Sequence, residues 1–191
     1  MAQIATENTT TAAATHANPA PLGLSGFAVT TLLLSLVNAG ILPATDATFL
    51  GLAFAFGGLA QLIAGILEFG AKNTLGGTAF VSYGAFWLSF AIGIETKSIG
   101  AGVSYYLLAW GILTFVFLLA ALKTNIALIA VFLFLTLTFL ALAIGAFGAG
   151  STWNQIGGWL GIITAILAEY TALAGLLSSG RSAFTLPTFP L

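Results

Sequence analysis

The chain has 191 residues, of which 59% are hydrophobic and only 5% charged, with a formal net charge of −1. A water-soluble domain carries roughly 25% charged residues, so too few are present to clothe a water-facing surface and the surrounding solvent is largely lipid. The charge balance gives no reason to propose nucleic acid as a partner, and with no cysteine there is neither a disulfide nor thiolate chemistry.

In chain order, the leader Met1–Ala17 has no Lys or Arg and no apolar run. It does not read as a signal peptide; residues 1–17 are expected to be a mobile tail, and His16 within it a solvated side chain. The stretch Asn18-Pro19-Ala20-Pro21-Leu22-Gly23-Leu24 follows. Its two prolines fix φ and remove backbone donors, which predicts a rigid, non-helical entry into the first long helix.

Six apolar segments then recur at about 24–42, 48–69, 75–94, 101–122, 126–147 and 153–177. Each is near the ~20 residues that cross a bilayer as a helix, and all are too long for barrel strands. The breaks between them are too short for a separate domain. The predicted fold is an all-α integral membrane protein, a six-helix bundle over 18–177 with a second tail over 178–191. With the N-terminus inside, Lys72, Lys123 and Arg181 fall on the cytoplasmic side and only Lys97 outside, which places both termini in the cytoplasm.

Small residues recur at every fourth position, as in Gly57, Gln61 and Gly65; Ala141, Gly145 and Ala149; and Gly157, Gly161 and Ala165. Such stripes allow close helix packing, either within the protomer or between copies. Polar side chains inside lipid segments carry the functional information. Phe27, Thr31, Ser35 and Asn38 share one face of the first segment, and Phe54, Gly57, Gln61, Gly65 and Glu68 one face of the second. Phe80, Tyr83 and Trp87, and Phe132, Leu135, Thr136 and Phe139, add an aromatic and hydroxylated interior. The bland alternative is that each Ser or Thr bonds its own i−4 carbonyl.

Two acids stand apart. Glu68 suits either an i,i+4 pair with Lys72 or a pore role. Glu169 lies well inside the sixth segment without a nearby cation, as a proton-relay candidate or a neutral, hydrogen-bonded packing group. No enzyme motif and no cluster with metal-ligand spacing is present, so neither a catalytic residue nor a metal or other cofactor is predicted.

Several motifs together resemble the acetate uptake transporter family, the succinate–acetate permeases of the YaaH/SatP type. They are Asn18–Leu24, Ala60-Gln61, Ala64–Glu68, Gly70–Gly76, Ser82–Leu88 with its Ser-Tyr-Gly-Ala-Phe-Trp-Leu run, and Gly158–Gly161. The resemblance implies a homohexamer in the cell membrane, each protomer holding its own path for acetate and, in some members, succinate. It further implies channel-like passage or proton-coupled symport, with a hydrophobic constriction at Phe27, Tyr83 and Leu135. The substrate-contacting candidates are Asn18, Leu22, Thr30, Thr31, Asn38, Gln61, Trp87 and Thr136; the proton-coupling candidates are Glu68 and Glu169. Glu169 departs from the bacterial pattern, where the position is usually apolar. Alternatives are a channel for a neutral solute such as urea or ammonia, and a non-transporting membrane sensor.

No Arg lies in any segment, so the path cannot hold an anion by an ion pair. It could offer hydroxyls, the amides of Asn and Gln and a helix N-terminus, or pass acetic acid in its neutral form. Placing Phe27 level with Tyr83 and Leu135 leaves a mismatch on the order of 8 Å at 1.5 Å per residue. The first helix is therefore expected to start below the membrane surface, with Asn18–Leu24 lining the cytoplasmic mouth and its free N–H groups facing an incoming carboxylate.

Overall fold

The computed structural model describes residues 17–180 and 182–191; most of the leader, with His16, and also Arg181 lie outside them. Six helices in the described residues are long and apolar enough to cross a membrane. They are α1 (Ala20–Asn38), α2 (Phe49–Gly70), α3 (Thr74–Glu95), α4 (Val103–Ala121), α5 (Ile126–Ala149) and α6 (Ser151–Ser179). The chain is a multi-pass membrane protein. Consecutive helices pack side by side and α6 closes back on α1, so the bundle is a ring around a central axis.

Helix starts follow local chemistry. Asn73 accepts the N–H of Gly76 at 3.0 Å and Asn125 that of Leu128 at 2.9 Å, N-caps for α3 and α5. Asp46 accepts the N–H of Thr48 at 2.9 Å ahead of α2, and its hydrogen bonds from Thr48 hold the carboxyl below the usual carboxylate range. The chain reverses from α5 into α6 through Gly148, in the last turn of α5, and Gly150 just after it, at φ 99° and 105°, a region that suits glycine.

Asn18–Leu24 is not a non-helical entry, because α1 begins at Ala20. Pro21 sits in the first turn, where a missing N–H is harmless and a fixed φ is helical already. Nor are the N–H groups of that turn free: Ala20 donates to Asn18 Oδ1 at 3.0 Å, and Leu22 and Gly23 donate to the Pro19 carbonyl at 3.1 and 3.3 Å.

α2 contains a π-helical stretch, Ala55–Ala60, flanked by ordinary helix. Close backbone approach marks the contacts of this region. A Cβ on Gly26 would stand 2.7 Å from the Phe56 carbonyl, and one on Gly65 only 2.6 Å from the Val81 nitrogen. Gly65→Ala is therefore expected to destabilise the α2–α3 contact by about 1–3 kcal/mol, since a backbone neighbour cannot move aside. Gly51→Ala, where nothing lies within 4 Å, should be neutral or stabilising. Thermal unfolding in detergent checks the pair: a lower midpoint for the first alone.

The seam between α3 and α4 is filled by rings rather than by close backbones. Tyr83 meets Trp110 and Phe117 at centroid distances of 6.3 and 5.8 Å, and Phe86 meets Tyr106 and Trp110 at 5.7 and 5.2 Å. Two members of the third small-residue stripe serve packing within the protomer: Gly157 lies against Leu142 and Gly161 against Ser35, and the neighbouring Gly158 lies against Ala39.

After α6 the chain does not leave the bundle. Ser182–Leu191 runs back across the end at which α1 begins, and Asn125 pairs with Pro190 in an antiparallel bridge.

Candidate functional site

Two cavities lie along the ring axis. The one at the end where α1 begins has a volume of about 460 Å³ and is lined by α1, α2, α3, α5, α6 and the segment after α6. The other, toward the opposite end, has a volume of about 210 Å³. Phe27 and Leu135 border both. Tyr83 borders the first, with its ring centroid 5.5 Å from that of Phe27. All three side chains are buried. The Tyr83 hydroxyl donates to Thr114 Oγ1 at 3.0 Å, so it is tied outward to α4 while the ring faces the axis.

The polar candidates divide. Asn18 and Gln61 line the larger cavity; Thr31, Asn38 and Trp87 line the smaller. Gln61 is fully buried and neither of its amide atoms has a hydrogen-bond partner. Thr31 Oγ1 and Trp87 Nε1 are likewise buried and unpartnered. A buried polar group without a partner costs ~1–3 kcal/mol, so such groups at one place call for an explanation. Asn18 spends its oxygen on Ala20, which leaves its NH₂ for the cavity.

Thr30, Thr136 and Leu22 border neither cavity. Thr30 donates to the Gly26 carbonyl at 2.8 Å and Thr136 to the Phe132 carbonyl at 2.7 Å, the bland i−4 pattern. Leu22 is 42% exposed on the outer face of α1.

The acids also lie off the axis. Glu68 is buried behind the wall, its Oε2 3.0 Å from where a Cβ on Gly76 would stand, and Asn73 and Gly76 are what face the cavity. The i,i+4 pair with Lys72 loses its basis, because Lys72 leaves the helix at φ 63°. Glu169 is exposed on the outer face of α6, with Ser25 Oγ donating to its Oε1 at 3.5 Å.

Residues the sequence reading passed over complete the walls. Asn73 and Asn125 line the larger cavity beside the helix starts they cap, Thr188 and Leu186 reach it from the segment after α6, and Asn154 faces the smaller one. The two caps were readable as Asn at a break before an apolar run; the others had no local signal.

A description of the GPR1/FUN34/yaaH family as a sequence model matches residues 2–191. The chain belongs to this family. As a GPR1/FUN34/yaaH member it is 38% identical over 178 residues to the succinate-acetate/proton symporter SatP of Escherichia coli, covering 90% of this chain and 94% of that one. It is 42% identical over 188 residues to ammonia transport outward protein 2 of Saccharomyces cerevisiae, covering 92% of this chain and 67% of the relative. The chain spans about two thirds of the length of the fungal relatives it matches. Among solved structures, that of the bacterial acetate channel SatP superposes with a TM-score of 0.84 at 38% identity, covering 90% of this family member and 99% of the channel.

Proposed function

We propose that the chain carries acetate across the membrane along the ring axis, with Phe27, Tyr83 and Leu135 as the narrow point between two vestibules. The observation that carries this reading is that Phe27 and Leu135 border both cavities, with unpartnered polar groups of Gln61 on one side and of Thr31 and Trp87 on the other. The NH₂ of Gln61 and the indole N–H of Trp87 can donate to carboxyl oxygens, and the Thr31 hydroxyl can donate or accept. Apolar rings at the narrow point exclude water and admit the methyl group.

Among the described residues neither cavity is lined by Arg or Lys, so a carboxylate at the narrow point between Phe27, Tyr83 and Leu135 would lack a counter-charge from them. The cost of an unpaired buried charge favours passage as the neutral acid. Acetate then takes a proton on one side and returns it on the other, which gives proton coupling without a relay side chain. Lys72 and Lys123 at the end where α1 begins, against Lys97 at the other, support a cytoplasmic position for the larger cavity. A homohexamer suits Glu169, because a carboxyl on a lipid-facing surface is costly and a neighbouring protomer would cover it. The chain is read as a transporter and not an enzyme.

The test is radiolabelled acetate uptake into liposomes holding only this protein, under an imposed pH gradient. Uptake above empty liposomes is expected, and its absence overturns the reading. In the same assay Glu169→Gln is expected to keep full gradient-driven accumulation, since its carboxyl lies away from both cavities; lost accumulation would restore it as a relay. A second reading, passage of ammonia, draws on the yeast relative's name and on the uncharged side chains that the described residues give the walls. It would show as ammonia flux that competing acetate leaves untouched.

A further inference from the structure

The segment Ser182–Leu191 forms part of the wall of the larger cavity, although it belongs to no helix of the bundle. Its exposure alternates: Leu186 and Thr188 are half-buried and line the cavity, while Thr185, Pro187 and Phe189 face outward. This is the period of an extended strand. Its attachments are specific. The Ile126 N–H donates to the Phe189 carbonyl at 3.0 Å, the Ala127 N–H to the Thr188 carbonyl at 3.3 Å, and the Leu191 N–H to the Thr124 carbonyl at 3.1 Å. The Tyr170 hydroxyl donates to the Pro187 carbonyl at 2.6 Å.

In this pattern Asn125 and Pro190 oppose each other at a non-hydrogen-bonded position of the antiparallel pair. Pro190 therefore lacks an N–H where the pairing needs none. The attachments are hydrogen bonds that water can replace. Of the segment's large apolar side chains, Phe184, Phe189 and Leu191 are exposed and Leu186 is only half-buried, so no fully buried anchor holds it down.

We propose that Ser182–Leu191 is a displaceable lid on the larger cavity. Closed, it narrows the mouth with Leu186 and Thr188; open, it widens the entrance beside Asn125 and leaves the first N–H groups of α5 to water. Entry from this side then requires the lid to leave, and Leu186 and Thr188 are the side chains that obstruct the mouth until it does. The proposal rests on the transport reading above.

The chain has no cysteine, so a single engineered pair can be locked at will. Opposed residues at such a position have Cα atoms about 4.5 Å apart, within disulfide range. Asn125→Cys with Pro190→Cys, reconstituted in liposomes, is expected to lose acetate flux about tenfold or more on oxidation and regain it with dithiothreitol. Comparing the two states of one sample removes the effect of the lost Asn125 cap. Equal flux in the two states overturns the lid.

A readout independent of transport uses Thr188→Cys and a membrane-impermeant maleimide. Adding Tyr170→Phe, which removes the bond to Pro187, is expected to speed labelling several-fold; an unchanged rate counts against the lid. If the unaltered chain carries no acetate while Tyr170→Phe still speeds labelling, the transport reading fails and the lid stands. If acetate flows equally in the locked and unlocked pair, transport stands and the lid fails.

Discussion

Phe27→Ala is expected to open the path to lactate and other monocarboxylates larger than acetate. The ring separates cavities of about 460 and 210 Å³ and borders both, so its removal joins them into one continuous space. Leu135, which also borders both, should behave in the same way. Tyr83 cannot swing in to refill the gap, because its hydroxyl is held by Thr114 at 3.0 Å and its ring is wedged against Phe117 at 5.8 Å. Lactate flux should rise about tenfold, the effect of lowering a barrier by 1.4 kcal/mol, while acetate flux holds or increases. Labelled lactate and acetate uptake into liposomes measures both. Unchanged substrate range and rate in Phe27→Ala and Leu135→Ala would remove these residues from the narrow point.

Gln61→Met should move stability and transport in opposite directions. The side chain is fully buried with neither amide atom partnered, so the fold bears the desolvation of a polar group and gains no bond. Methionine has a similar shape and no strong donor or acceptor, and the change should raise stability by about 1 kcal/mol. The same change removes an NH₂ from the wall of the larger cavity, and acetate flux should fall about tenfold, the equivalent of one lost hydrogen bond in the rate-limiting passage. The thermal midpoint in detergent and the liposome flux report the two halves separately. A variant that is less stable, with unaltered flux, would make Gln61 a packing residue.

The six helices were legible because lipid demands long apolar runs and short polar breaks, and five of the six begin and end within a few residues of where hydropathy puts them. α1 is the exception: its prolines argued for extended chain, yet in the first turn of a helix they are at home. The aromatic part of the site was also legible, since Phe27, Tyr83 and Trp87 fall on faces that a helical period marks out. Hydroxyls were harder. Thr30 and Thr31 are adjacent in sequence, and only the fold shows that one bonds Gly26 while the other faces the smaller cavity unpartnered. Glu169 looked functional because it is an acid within an apolar helix, but a period of 3.6 cannot say which face of α6 looks inward when small residues occur all round it. Leu186 and Thr188 reach the cavity by long-range pairing, for which no local pattern exists.

The π-helical stretch Ala55–Ala60 has a consequence for how the path tolerates change in chain length. Upstream of it α2 buries Phe49, Leu50 and Ala53; downstream it buries Gln61, Ala64, Gly65 and Glu68. A π turn holds one more residue than an α turn, and so it resets the angular phase of everything that follows. Deleting one residue within Ala55–Ala60 would let the stretch relax to an ordinary helix, whereas deleting one elsewhere in α2 would rotate the downstream half by about 100°. The stretch thus acts as a slack coupling in the middle of α2. The stretch itself meets Gly26 and Thr30, through Phe56 and Gly57, while Gln61 just beyond it borders the larger cavity.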